Sequence, residues 1–287
     1  MENRAIQQIT PLQRALGTVF RVLNFLLKIG LVVVFVFPFL WMISTSLKTY
    51  PESIAYPPSL FFAKPQWENF VMVWNSGDYL RYARNSITVT LTIIALQTLV
   101  SVPAAYAFAR YKFRGGALLF GIVLVSFMVP TQLTFISVYL MFSKVSMLKT
   151  LWPQILPFGA NAFGIFMLRQ SFKQVPEELI ESARLDNAGE INIMFRIMLP
   201  MAKSSLVAVT MFSFIGHWND YFWPFVMTNT DFIRPLTVAI AQLRDSEHGN
   251  QWQLVMAGNV ILVLPILIVY VFLHKKIISG FVYSGIK

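Results

Sequence analysis

The chain has 287 residues, of which 56% are hydrophobic and only 13% charged, and its net charge is +10. Soluble domains carry roughly 25% charged residues, so this composition excludes an ordinary soluble domain, and the dispersal of the basic residues along the chain excludes a nucleic-acid partner. There is no cysteine, which excludes disulfides, thiolate metal sites and a cysteine nucleophile.

Apolar windows lie at 29–47, 85–109, 115–143, 150–168, 204–230 and 249–273. A membrane-crossing helix needs about 20 apolar residues. The expected fold is therefore all-α and polytopic, with six transmembrane helices. In chain order, residues 1–28 alternate Arg14 and Arg21 with Leu12, Leu16, Val19, Phe20 and Leu23, a spacing that suits an amphipathic segment on the membrane surface. For residues 1–10 a plain basic tail fits equally well. Span one is expected at 29–47, with Pro38 inside it. The bulky stretch Trp41 to Lys48 shows no small-residue cleavage pattern, so an uncleaved span is expected rather than a signal peptide.

Residues 48–84 form the longest expected loop, where Pro51, Pro57, Pro58 and Pro65 exclude a long helix. Trp67 and Trp74 suit interface anchors. Span two, at 85–109, is rich in Ser, Thr and Ala, which permit close packing and place it inside the bundle. A basic turn, Arg110 to Gly116, leads to span three at 116–140, interrupted by Pro130-Thr131-Gln132. Span four, at 150–168, carries Pro153, Pro157, Gly159, Asn161 and Gly164. Helices broken in this way line solvated cavities in transporters, and ordinary kinked helices share the pattern. Spans five and six are expected at 204–228 and 251–274.

Of the 23 Lys and Arg residues, 15 fall on the N-terminal side of these spans and 8 on the other. The positive-inside rule places both termini in the cytoplasm, together with the polar segment between spans four and five.

That segment, 176–200, is the most informative stretch. Pro176 suits a first-turn position, and Glu177, Glu178 and Glu181 suit the positive end of a helix. The helix should end near Asp186-Asn187, with Asn187 in a left-handed turn. A second helix should begin near Gly189-Glu190 and run to Leu199, with a break at Pro200. A solvated connector between spans would share this composition. The spacing of Glu181, Ser182, Ala183, Asp186, Ala188, Ile197, Leu199 and Pro200 resembles the coupling loop of the membrane-spanning subunits of ABC-type importers; Asn187 stands where that family usually has Gly.

The second constellation is His217-Trp218-Asn219-Asp220-Tyr221-Phe222-Trp223-Pro224. Asp220 is the one carboxylate inside an expected span, which makes it a functional candidate. Aromatic rings beside amide and carboxylate groups suit sugars; an aromatic belt, with Asp220 bonded to a neighbouring helix, also accounts for the stretch. It resembles the fifth-span Trp-Asn-x-x-x-x-Pro pattern of carbohydrate-type importer permeases. With Asn85-Ser86, Arg110 and the Gly280…Gly285-Ile286-Lys287 ending, the resemblance covers nearly the whole chain from Asn85.

The resemblance implies an ABC importer permease fold, with a transmembrane domain over 29–287, in the bacterial cytoplasmic (inner) membrane. It implies ATPase coupling through Glu178, Glu181, Ser182, Ala183, Arg184, Asp186, Asn187 and Gly189, and a substrate pathway past Trp218, Asn219, Asp220, Tyr221 and Trp223. The implied partners are a homologous second permease, two ATP-binding cassette subunits, an extracytoplasmic solute-binding protein, a carbohydrate and membrane lipid. The chain has no Gly-Lys dipeptide for a phosphate-binding loop, and no catalytic or metal-ligand pattern. No cofactor is expected on this chain; ATP and magnesium belong to the partner subunits. The competing readings are an importer of a glycerol phosphodiester or another polar solute, and a secondary transporter using Asp220 as an ion carrier.

Overall fold

The computed structural model describes residues 11–244 and 250–282, and within them it is helical with no strand. Residues 1–10 of the expected surface segment, Glu247 and His248 of the outer loop and the Gly285-Ile286-Lys287 ending lie outside the described residues.

Three windows form continuous helices: α1 (Pro11–Ser46), α4 (Tyr79–Arg110) and α15 (Trp252–Val282). These are long and apolar enough to cross a membrane unaided. Pro38, Pro103 and Pro265 sit inside them without ending them. At about 1.5 Å per residue, the 36 residues of α1 exceed a hydrocarbon core of about 30 Å. No break separates residues 11–28 from the span that follows.

The other three windows are broken, which corrects the expectation of one helix each. Between α1 and α4 lie only the short helices α2 (Tyr50–Ile54) and α3 (Glu68–Asn75). Window three is α5 (Gly116–Phe127) and α6 (Phe135–Lys144), parted at Pro130, whose ψ of 129° is extended. Window four is α7 (Trp152–Ile155), a 3-10 turn and α8 (Ala162–Lys173). Pro153 and Pro157 deny the first half its ladder, and the Asn161 side chain then caps α8 by accepting from Gly164 N at 3.0 Å.

The polar segment contains α9 (Glu177–Leu185), α10 (Glu190–Asn192), a π-helical turn over Ile193–Met198 and α11 (Leu199–Met201). An 81° bend separates this arm from α12 (Lys203–Trp218). The break falls at Ala202 rather than at Pro200, which lies inside the continuous helical run Glu190–Met201. Beyond α12 come α13 (Phe222–Met227) and α14 (Leu236–Ala241).

Helix α4 is the hub, as its small residues predicted: it packs on α8, α12 and α14, while α1 lies outside along α15. Two apolar cores form at opposite ends. At the loop end Val102, Ala105 and Tyr106 meet Leu168, Phe172, Ile180 and Met198. At the far end Tyr79 and Tyr82 meet Phe214, Trp218, Ile240 and Ala257.

Buried side chains pair backbone groups in the segments between helices. Asn85 donates to the carbonyls of Phe232 (2.9 Å) and Arg234 (3.0 Å), and Ser86 Oγ accepts from Leu236 N at 2.9 Å. Asn69 donates to the carbonyls of Ser46 and Lys48 at 2.8 and 2.9 Å. Gln154 donates to Ile233 O at 3.1 Å.

Close packing of α8 against α12 requires Gly164, where an added β-carbon would stand 3.0 Å from Val209 Cγ1 and 3.4 Å from Ser101 Oγ. Gly164→Leu should lower the unfolding temperature of the detergent-solubilised protein, with an overpacking cost of about 1–3 kcal/mol. Scanning fluorimetry checks this, and an unchanged transition would show that α8 and α12 do not depend on the contact.

Candidate functional site

Two regions carry functional geometry, the 176–202 arm and a polar cleft in the middle of the bundle. The arm begins at Pro176 and places Glu177 and Glu178 in the first turn of α9. It ends as the sequence requires. Asn187 has φ of +56°, its N–H reaches Arg184 O at 3.0 Å, and Ala188 N reaches Ala183 O at 2.9 Å. These two bonds form a Schellman motif. The π turn that follows turns Ile193, Met194 and Met198 to one buried face. Ile180, Ala183, Ile193, Met194 and Met198 of the arm thus share one core with α4 and α8.

Polar contacts fasten that seat. Arg110, at the end of α4, donates to Glu177 at 2.6 Å and to the carbonyls of Phe172 (2.5 Å) and Val175 (2.6 Å). The Glu190 carboxylate accepts from Tyr106 Oη on α4 at 2.5 Å and from Arg184 Nε on α9 at 3.0 Å. These bonds hold the Glu190 carboxyl below the usual carboxylate range, the Tyr106 hydroxyl contributing most, against the opposing push of burial. The Arg184 guanidinium is shifted up, chiefly by its bond to Glu190.

The structure thus divides the sequence-derived coupling residues. Ala183 is buried in the seat and Arg184 is engaged by Glu190. Glu178, Glu181, Ser182, Asp186, Asn187 and Gly189 lie exposed. Two apolar residues that the sequence reading passed over share that surface: Leu185 is 84% exposed and Ile191 72%. Their position beside a predicted helix end was the available signal. The fasteners Tyr106 and Glu190 were also missed, because their partners are 84 residues apart in sequence.

The 217–224 stretch sits at the far end, in the break between α12 and α13. Trp218 is buried and donates from Nε1 to Leu262 O; Trp223 is buried and donates to Pro153 O, both at 2.9 Å. Asp220 accepts from Trp223 N at 3.3 Å at the start of α13, and its own carbonyl accepts from Thr237 Oγ1 at 2.9 Å. Asn219 is exposed and bonds back to Ile215 O at 3.0 Å, and Tyr221 stacks on Phe225 at 5.2 Å. Asp220 therefore lies in an irregular turn, not within a helix.

The cleft is built around Gln97 of α4, which is 5% exposed. Its Nε2 lies 2.9 Å from Phe158 O, an atom that can only accept, so the orientation of the amide is decided. Its Oε1 then accepts from Asn161 Nδ2 at 3.2 Å and from Ser213 Oγ at 2.6 Å. The remaining Nε2 proton points at His217 Nε2, 3.2 Å away. His217 must accept there, so it carries its own proton on Nδ1. Asn161, Ser213, Gly216 and His217, with Phe127, Phe163 and Phe212, line an open cleft of about 370 Å³. No group of three or more His, Cys, Asp or Glu residues able to hold a metal occurs among the described residues.

Against known proteins, the model of the family "Binding-protein-dependent transport system inner membrane component" matches residues 97–281. The arabinooligosaccharides transport system permease protein AraQ of Halalkalibacterium halodurans is 29% identical over 272 residues, covering 93% of this chain and 97% of the relative. The diacetylchitobiose uptake system permease protein NgcG of Streptomyces coelicolor is 30% identical, covering 88% of this chain and 84% of the relative. Among solved structures, a bacterial ABC transporter involved in the import of the acidic polysaccharide alginate has a chain of the same fold. Its TM-score is 0.79 at 22% identity, over 90% of this chain and 96% of that one.

The Glu190 fastener yields a pH test. Its folded carboxyl titrates below the ordinary 4.5, so its stabilisation is complete above about pH 4.5 and is lost as pH falls through the depressed folded value. Hydrogen exchange of amides 187–193, corrected for intrinsic rates, should lose protection below that range. Glu190→Gln should show weak protection that no longer changes with pH. Equal protection in both proteins across the titration would remove the fastening role.

Proposed function

We propose a function that proceeds from kinship: the chain belongs to the family of binding-protein-dependent transport system inner membrane components, whose model covers residues 97–281, and it acts as the permease subunit of an ABC importer for a carbohydrate, of oligosaccharide size. Relatives named for arabinooligosaccharide and diacetylchitobiose transport support a sugar over a glycerol phosphodiester. Membership also disfavours a secondary transporter driven by ion binding at Asp220.

The observation that carries the reading is the arm. It is exposed on one side and fastened on the other to α4, through Arg110 to Glu177 and Tyr106 to Glu190, while Arg184 braces the arm internally against Glu190. A rigid knob of this kind docks in a cleft of an ATPase subunit and passes its displacement to the pore helices. Glu181 meets basic groups there, and Leu185 and Ile191 bury apolar area. The arm lies in the cytoplasm with both termini, and the ATPase subunits bind ATP and magnesium. A second permease completes the pore, and an extracytoplasmic solute-binding protein delivers the sugar. The 81° bend at Ala202 is where motion of the arm is converted to tilt of α12.

On the substrate side we assign the cleft between α5, α8 and α12 to the sugar path, together with the exposed Asn219 and Tyr221 and the half-buried Asp220. Its volume falls within the ~300–1,000 Å³ of small-molecule sites. His217 Nδ1–H and the second Asn161 amide proton can donate to hydroxyls, and Ser213 Oγ can accept. Phe127, Phe163 and Phe212 supply apolar faces for sugar rings, with Phe163 to Phe212 edge-on at 6.1 Å.

In the complete complex reconstituted in vesicles, Glu181→Lys should leave insertion and abundance unchanged. Uptake and substrate-stimulated ATP hydrolysis should fall together by about 5–150-fold, the range of a ~1–3 kcal/mol coupling. Wild-type uptake would refute the docking role. Phe212 is 58% exposed and makes no hydrogen bond through its side chain. Phe212→Ala should therefore assemble normally, keep ATPase coupling, and weaken uptake about 2–10-fold, the worth of one aromatic contact. Unaltered concentration dependence of uptake would place the sugar elsewhere.

A further inference from the structure

At the loop end a second cavity of about 500 Å³ opens between the end of α4, the 111–115 turn, the start of α5 and α8, lined by Phe108, Tyr111, Lys112, Phe113, Arg114, Gly116, Ala117 and Arg169. Its composition is one-sided: three cations line it and no carboxylate does. None of the three joins an ion pair among the described residues, where the pairs engage Arg81, Arg110, Arg184 and Arg234. Three like charges around one cavity repel one another unless an anion lies between them. We propose that this cavity binds the phosphate headgroup of an anionic membrane lipid.

The placement of Arg169 carries the argument. Lys112 and Arg114 lie on an exposed turn, where a topological signal alone would account for them. Arg169 lies on α8, only partly exposed, and is held in one pose. Its Nε donates to Phe108 O at 3.1 Å, and its guanidinium lies 4.0 Å over the Phe120 ring. Phe120 is itself held by Phe108 at 5.4 Å. This pose leaves both terminal amino groups without a hydrogen-bond partner among the described residues. A planar fork fixed in this way matches two oxygens of one phosphate. Lys112 and Arg114 then close on the free lone pairs of the same two non-bridging oxygens from the turn that Gly115 makes at φ of +81°.

The surroundings select a lipid over a free phosphate. The cavity stands at the level where α4 ends and α5 begins, the interface depth of a spanning bundle. From there α5 presents Leu118, Leu119 and Ile122 outward, 70%, 49% and 56% exposed. Acyl chains anchored at the headgroup would run along that face. Basic pockets between spanning helices on the positive side of a membrane protein hold anionic headgroups in this way. The site is independent of the sugar path, and the inference stands or falls without reference to the transported solute.

The test uses the assembled complex, delipidated in detergent and titrated with phosphatidylglycerol or phosphatidylcholine while bound lipid is counted by native mass spectrometry. One phosphatidylglycerol should bind this chain in preference to phosphatidylcholine. The double variant Lys112→Gln, Arg114→Gln, which changes only exposed side chains, should weaken that binding about tenfold. Arg169→Lys, which keeps the charge and loses the fork, should weaken it similarly. Lys64→Gln in the far-end loop, the matched control, should bind as the wild type does. Equal affinity for the two lipids, or unchanged affinity in the double variant, would overturn the site. Displacement of phosphatidylglycerol by millimolar inorganic phosphate would overturn the lipid assignment in favour of a soluble anion. If Arg169→Lys fails to assemble, the double variant still decides the question.

Discussion

A helix that breaks inside apolar surroundings leaves N–H and C=O groups that no water reaches, and each costs several kcal/mol unless the protein pairs it. Three of the six apolar windows of this chain break, so its fold depends on how those groups are satisfied. Buried carboxamides do much of it. Gln97 on α4 holds the Phe158 carbonyl and is held by Asn161 and Ser213. In the connection before α14, outside the windows, Gln154 likewise holds the Ile233 carbonyl and Asn85 those of Phe232 and Arg234. An amide serves better than a charge here, because it supplies donors and acceptors without the desolvation penalty of an ion.

The same network explains why a broken window becomes a cleft. The residues that repair the break at 159–161 cannot all turn inward. Gln97 uses both amide protons and both lone-pair directions within the bundle, while Asn161, Ser213 and His217 retain groups that face the open side. Polar capacity left after structural repair therefore lines the cleft beside three phenylalanines.

At the loop end the demand is different. The arm buries one apolar face and presents polar residues outward. Apolar burial of Ile180, Ile193, Met194 and Met198 holds one face, and Arg110 and Glu190 prevent sliding along it. The π turn is the device that reconciles the two. Its wider winding brings Met198 into register with Ile193 and Met194, so a single short arm keeps three apolar side chains inward and its exposed face free. Arg184, itself exposed, pairs with Glu190 and braces α9 against the start of α10.

Much of this was legible in the sequence, because it concerns local rules. Apolar windows located the three continuous helices α1, α4 and α15, the small residues of 85–109 marked α4 as the inner helix, and Asn187 announced a left-handed turn that the backbone adopts at φ of +56°. The first-turn positions of Glu177 and Glu178 followed from the preference of carboxylates for a helix N-terminus. The sequence could not say that Trp218 and Trp223 are buried through bonds to Leu262 and Pro153, since an indole N–H finds a carbonyl 44 or 70 residues away only after the chain has folded. Nor could it join Tyr106 to Glu190 or Gln97 to His217, or show that Arg169 lies over Phe120. Hydropathy and turn propensity act over a few neighbouring residues and are written in order along the chain. Pairing of buried polar groups acts between distant segments at about 3 Å, and only the packed tertiary structure brings those groups within that distance.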